Sequence, residues 1–274
     1  MKFALCSEVY KTPVEATMRS VREVGFDGIE IAPFNLAPHV DDVSAERRRG
    51  IVALSKSLGL DIVGLHWLLV SPEGMSFNSE DAANRELTFA YLRKLVHLCG
   101  DLGGRGLVLG SPKARNIPPG ANVRETHERA ADGLRTVAEV CTERRVRLLL
   151  EPLTPKETNF LNTVEQTMEL ARAIDHPQVS YIIDTKAMSA MPEGIEGTIR
   201  RWGLGAAHFH ANEPSGLGPG MGPLDFKPIF KALRESGFLG WASAEPFNYE
   251  PDPDTVARAA LKTMREAATA ADRR

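Results

Sequence analysis

Short apolar runs recur along the chain, each separated from the next by a longer segment of helical periodicity, and this alternation limits the available folds more than any other feature. The runs are Phe3 to Ser7, Gly28 to Ala32, Asp61 to Trp67, Gly106 to Gly110, Val146 to Leu153, Val179 to Asp184, Ala206 to Ala211 and Gly240 to Glu245. Runs of this length and composition read as buried strands, and helices between them make the strands parallel. The intervening segments carry helix punctuation. Thr12-Pro13-Val14-Glu15 offers an N-cap, a proline at the first helical position and a capping-box acid, and Gly25 offers a stop. Thr163, with Gln166 three residues on, predicts another start, and Gly59, Gly100, Gly203 and Gly237 predict further ends.

Eight strand-helix repeats within 274 residues match a (β/α)8 barrel, for which about 250 residues is typical. An open doubly wound sheet is the alternative, but no Gly-x-Gly-x-x-Gly follows the first run and no composition break or Pro/Gly-rich linker marks a second domain. The expected fold is α/β, a single (β/α)8 TIM barrel over residues 1–274.

Lys plus Arg number 33 against 36 Asp plus Glu, with no long basic run, so a nucleic-acid partner is not indicated. Cys6, Cys99 and Cys141 are too few and too scattered for a disulfide framework, which favours a reducing compartment. No apolar run reaches the roughly 18 residues of a membrane span, and Glu8 interrupts the first turn of any signal-like segment, so a cytoplasmic location is expected.

In such a barrel the active site lies at the C-terminal ends of the strands, so ionisable residues there carry information. The fifth run reaches Glu151, the sixth Asp184, the seventh His208-Phe209-His210 and the eighth Glu245, at separations of 33, 26 and 35 residues, each about one repeat. A single one of these could serve only to cap an amide or balance a cation. Four at matching strand ends converge, and three neighbouring carboxylates repel unless a proton or a cation intervenes. Three oxygen donors with one nitrogen and no thiolate favour a hard or borderline ion, Mn2+ first, with Mg2+ or Co2+ as alternatives. In an extended strand His208 and His210 share a face. His210, nearer the strand end, is the candidate ligand, and His208, one layer deeper, is expected to be a hydrogen-bonded supporting residue.

With these residues in view, the sequence resembles the xylose-isomerase-like TIM-barrel superfamily, in particular its sugar isomerase/epimerase branch of ketose 3-epimerases. The resemblance runs over nearly the whole chain. Its motifs are Gly25-Phe26-Asp27-Gly28-Ile29-Glu30-Ile31, Gly64-Leu65-His66-Trp67, Glu151-Pro152-Leu153, Asp184-Thr185, His208-Phe209-His210, Gly218 to Gly222 with Asp225-Phe226, and Glu245-Pro246. It implies that Glu151, Asp184, His210 and Glu245 hold one divalent metal ion, with Glu151 and Glu245 also acting as the acid/base pair. It further implies substrate contacts from His66, Trp67 and Glu157. The chain departs from the pattern twice: Ala187 stands where the branch usually has histidine, and Gly216 where an arginine is common. Lys186 is the neighbouring cation and joins the candidate substrate-binding residues.

The implied function is a metal-dependent epimerase or aldose-ketose isomerase that moves a proton at a carbon next to a carbonyl through an enediolate. The alternative is a metal-dependent lyase or hydrolase of 3-keto-glycosides, which would use the same base to expel a leaving group. An endonuclease-IV-like phosphodiesterase would need more metal-binding histidines at strand ends than His66 and His210. A non-catalytic sugar-binding barrel would not need all four ligand positions. The expected partner is a small sugar, with assembly as a homodimer or homotetramer by analogy with the family.

Overall fold

The computed structural model describes residues 1–272, so the last two residues of the expected 1–274 span lie outside the described residues. The strands are β1 (Phe3–Cys6), β2 (Gly28–Ile31), β3 (Asp61–Leu65), β4 (Gly106–Leu109), β5 (Arg147–Leu150), β6 (Val179–Asp184), β7 (His208–Ala211) and β8 (Trp241–Ala244). The helices are α1 (Val14–Val24), α2 (Ala45–Leu58), α3 (Ala82–Leu102), α4 (Val123–Arg144), α5 (Val164–Ile174), α6 (Thr185–Ser189), α7 (Gly194–Trp202), α8 (Phe226–Glu235) and α9 (Pro253–Asp272). The strands follow one another around a closed barrel in chain order, from β1 to β8 and back to β1. No helix among the described residues is long and apolar enough to cross a membrane.

Chain contacts divide into two compact units. The first comprises residues 1–31, 53–63 and the chain from Ile182 onward; the second comprises residues 32–52 and 64–181. Within the first, α8 shows why a helix forms and where it packs. Phe226, Ile229, Phe230 and Leu233 recur at helical spacing and are all buried, and Phe230 meets Phe209 of β7 at a ring-centroid distance of 6.0 Å. Within the second, α3 does the same with Phe89, Leu92, Leu95, Val96, Cys99 and Leu102.

Helix punctuation matches the sequence at Gly25, a left-handed C-cap that bonds back to Val21 O, and at Thr163. The Thr163 side chain accepts from Gln166 N, while the Gln166 side chain reaches Asn162 N rather than the cap residue's own amide. Replacing Thr163 by Ala should cost about 1 kcal/mol, seen as a melting temperature lower by about 2–4 °C. An unchanged melting curve would show the cap to be dispensable. Two expectations need correction. Pro13, not Thr12, occupies the cap of α1, because Thr12 turns its hydroxyl to Thr17. α3 runs through Gly100 and stops at Gly103, where φ is 83°; a glycine can ride inside a helix that packs well elsewhere, and the left-handed one ends it.

Candidate functional site

In the first unit, β6, β7 and β8 lie in register, with Asp184 opposite His210 and His210 opposite Ser243. Strand alternation sends His208, His210 and Asn212 to one side and Phe209 to the other. His210 is fully buried, with Nδ1 3.1 Å from Glu245 Oε2 and Nε2 3.3 Å from Glu30 Oε2. His208 Nε2 lies 2.9 Å from that same Glu30 oxygen. Burial alone would push the Glu30 carboxyl up, but the two imidazoles beside it hold it well below the usual carboxylate range.

Asp184 ends β6 and caps α6, its Oδ1 accepting from Ala187 N at 2.6 Å while Oδ2 accepts from Asn212 Nδ2 at 2.8 Å. Asn212 is the hub of this corner. Its Oδ1 accepts from Lys186 N, its Nδ2 also reaches Glu245 Oε2 at 3.5 Å, and its own amide donates to Thr185 Oγ1. Thr185 in turn donates to His210 O at 2.8 Å. The ends of β6 and β7 are thereby stitched through side chains as well as through the strand ladder.

The loop after β7 turns on two residues. Glu213 is buried, accepts from Leu224 N at 3.2 Å, and has its carboxyl pushed up by burial. Gly216 adopts φ of 86°, a left-handed geometry that strains any other residue, and its carbonyl accepts from both Phe247 N and Asn248 N after β8. Lys186 Nζ sits over the Phe247 ring, 4.6 Å from its centroid. Burial, with Glu8, Cys6 and Glu245 as neighbours, pushes the Tyr249 phenol up.

In the second unit, Glu151 follows β5 and is 5% exposed. Gly110, just past β4, makes room for its carboxylate: a Cβ there would stand 2.2 Å from Glu151 Oε2. The fully buried Arg115 donates to Glu151 O at 2.7 Å. Burial lowers the Arg115 guanidinium to about 10, against the opposing pull of Glu151 and Glu157. Glu157 turns Oε2 back onto Thr154 N and Thr154 Oγ1, tying down its own loop. His66 is fully buried just beyond β3, and the partly buried Trp67, at φ of 52°, meets Phe34 edge-on.

Asp184, His210 and Glu245 of the first unit are all buried, and each offers one ligand atom within 4.8 Å of the others. Two carboxylates at this spacing, Asp184 and Glu245, repel by about 3.5 kcal/mol when both are ionised at an effective dielectric near 20, and a bound divalent cation would reverse that balance. Cys6, Glu30 and His210, also in the first unit, stand equally close to one another.

The model of the xylose isomerase-like TIM barrel family matches residues 18–267. The chain belongs to this family. Among relatives, the D-psicose 3-epimerase of Ruminiclostridium cellulolyticum is 32% identical over 249 residues, covering 89% of this chain and 82% of that protein. The fructoselysine 3-epimerase of Shigella flexneri is 24% identical over 268 residues, covering 93% of each. In fold, this xylose isomerase-like barrel superposes on the crystal structure of D-psicose 3-epimerase with D-tagatose from Clostridium cellulolyticum H10 with a TM-score of 0.85. That pair is 23% identical and overlaps over 98% of this chain and 99% of the other.

Two site residues carried no role in the sequence reading. Glu30 was visible as an ionisable residue inside an otherwise apolar strand, a position that demands a buried partner. Asn212 continues the His208, His210 alternation and could have been found by extending it one step.

Proposed function

We propose that this protein is a divalent-metal-dependent sugar epimerase of the ketose 3-epimerase type, an isomerase that inverts a carbon next to a carbonyl. The observation that carries the reading is the buried set of Asp184, His210 and Glu245 in the first unit, to which we add Glu151, the buried carboxylate that follows β5 in the second. The donor set fits a divalent ion: one imidazole nitrogen and three carboxylates, with the Glu151 carboxylate lodged where Gly110 leaves space. No thiolate belongs to it, which favours Mn2+, with Mg2+ or Co2+ as alternatives. When bound, such an ion supplies Lewis acidity beside the substrate carbonyl.

Glu151 and Glu245, the residues that directly follow β5 and β8, serve as the proton-transfer pair. One takes the proton from the carbon, breaking a C–H bond and leaving an enediolate, and the other returns a proton to the opposite face. Asp184 and His210 hold rather than react. Asn212 keeps Asp184 Oδ2 fixed and stands within reach of Glu245, so neither carboxylate needs to reorganise during turnover. His66, Trp67, Glu157 and Lys186 are the residues we assign to substrate contact. At Ala187 and Gly216 the chain offers no side-chain donor, and Lys186 over Phe247 supplies the positive charge on that wall.

The test is hydrogen exchange. The protein loaded with Mn2+ is incubated in D2O with D-psicose, L-ribulose and fructoselysine. Deuterium should enter carbon 3 of at least one of them, accompanied by the 3-epimer. Bound Mn2+ with no exchange into any of these sugars would sink the reading.

A further inference from the structure

We infer that Glu30 is a positioning residue for His210: it commits Nε2 of that ring to hydrogen bonding and so leaves Nδ1 as the nitrogen offered to the metal ion. The inference rests on the metal reading of the preceding subsection and adds to it a residue outside the four ligands.

The sequence Gly28-Ile29-Glu30-Ile31 alternates, so Glu30 shares a face with Gly28 while Ile29 and Ile31 take the other. Glu30 is 1% exposed, and a single oxygen, Oε2, gathers three neighbours. His208 Nε2 stands at 2.9 Å, His210 Nε2 at 3.3 Å and Cys6 Sγ at 4.0 Å. A carboxylate oxygen at these distances accepts from a ring N–H, so the geometry has both imidazoles present an Nε2–H to it. For His210 this is the tautomer we assign. A neutral imidazole with its proton on Nε2 has its lone pair on Nδ1, and Nδ1 is the atom 3.1 Å from Glu245 Oε2.

A divalent cation held by the donor set would offset the repulsion between the Nδ1 lone pair and the Glu245 carboxylate, and Asp184 offers a further ligand atom within 4.8 Å of both. The carboxylate-imidazole pair raises the basicity of the ligating nitrogen and fixes the ring plane. His208 completes the arrangement. Its ring lies 5.1 Å from that of His210 at an interplanar angle of 84°, so one carboxylate oxygen orients two perpendicular rings on the same strand.

The experiment compares Glu30→Gln, which keeps the side chain's size but removes its charge, with the wild type. Mn2+ affinity is read by calorimetry, after circular dichroism and thermal melting have shown both to be folded. Affinity should fall about 10- to 100-fold. In a His210→Ala background the same change should cost little more, because its effect runs through that ring; a purely structural role would make the two losses add. A direct reading serves even if the variant fails to fold. Nitrogen NMR of the Mg2+-loaded wild type should find His210 protonated at Nε2 and bare at Nδ1. Wild-type affinity in Glu30→Gln, additive losses, or a proton on Nδ1 would each overturn the inference. Metal uptake without exchange into any sugar overturns only the assigned reaction, whereas a protein that binds no divalent ion overturns both.

Discussion

Glu245→Gln should abolish epimerisation, lowering kcat by at least about 10³-fold. Loss of a positioned acid or base typically costs 10²- to 10⁴-fold, and Glu245 is assigned a second duty as a metal ligand. The substitution keeps the volume of a side chain that is 3% exposed, so the fold should persist. It removes the negative charge facing His210 Nδ1 and replaces one oxygen with an amide group that cannot accept. Glu151→Gln should be similarly inactive as an epimerase. The two variants should differ in D2O, because each removes the base on one face: one should still exchange the carbon proton of the first epimer and the other that of the second. Full epimerase activity in either variant removes that glutamate from the reaction.

Stripping the metal with a chelator should abolish exchange and lower the melting temperature by about 5–10 °C. A ligand present at 100 times its dissociation constant stabilises the folded state by about 2.7 kcal/mol, and a chain of this length moves by roughly 2–4 °C per kcal/mol. Here the stripped state also faces the mutual repulsion of Asp184 and Glu245, whose donor atoms lie within 4.8 Å of each other. Titrating Mn2+ back should restore both properties together, with Co2+ and Mg2+ as weaker substitutes. Calorimetry, melting and exchange followed in parallel check this. A melting temperature and exchange rate indifferent to the chelator would remove the ion from the reading.

The strand pattern was legible in the sequence because each strand is short, apolar and bounded by helix punctuation, and β6 has the bounds that Val179 to Asp184 announced. Ends were less legible. Residues just past a strand, such as Ser7 and Trp67, look like strand in composition, yet the backbone has already turned out of the ladder there. The four candidate ligands could be picked out because ionisable residues are rare at strand ends, and the distances among them could not. Glu30 escaped because attention to strand ends passes over a charge inside a strand. The Gly216 departure could be seen as a missing arginine but not explained, since the left-handed φ that requires glycine there is a property of the folded loop.

That same glycine has a consequence for redesign. Its carbonyl accepts from Phe247 N and Asn248 N, so the segment after β7 and the segment after β8 are one hydrogen-bonded wall, and Lys186 leans on it through the Phe247 ring. Placing an arginine at position 216 alone would force a strained backbone at φ of 86° on the residue whose carbonyl holds both amides. A redesign of this wall should therefore move the two segments as a single cassette, with residues 186, 216 and 247 chosen together.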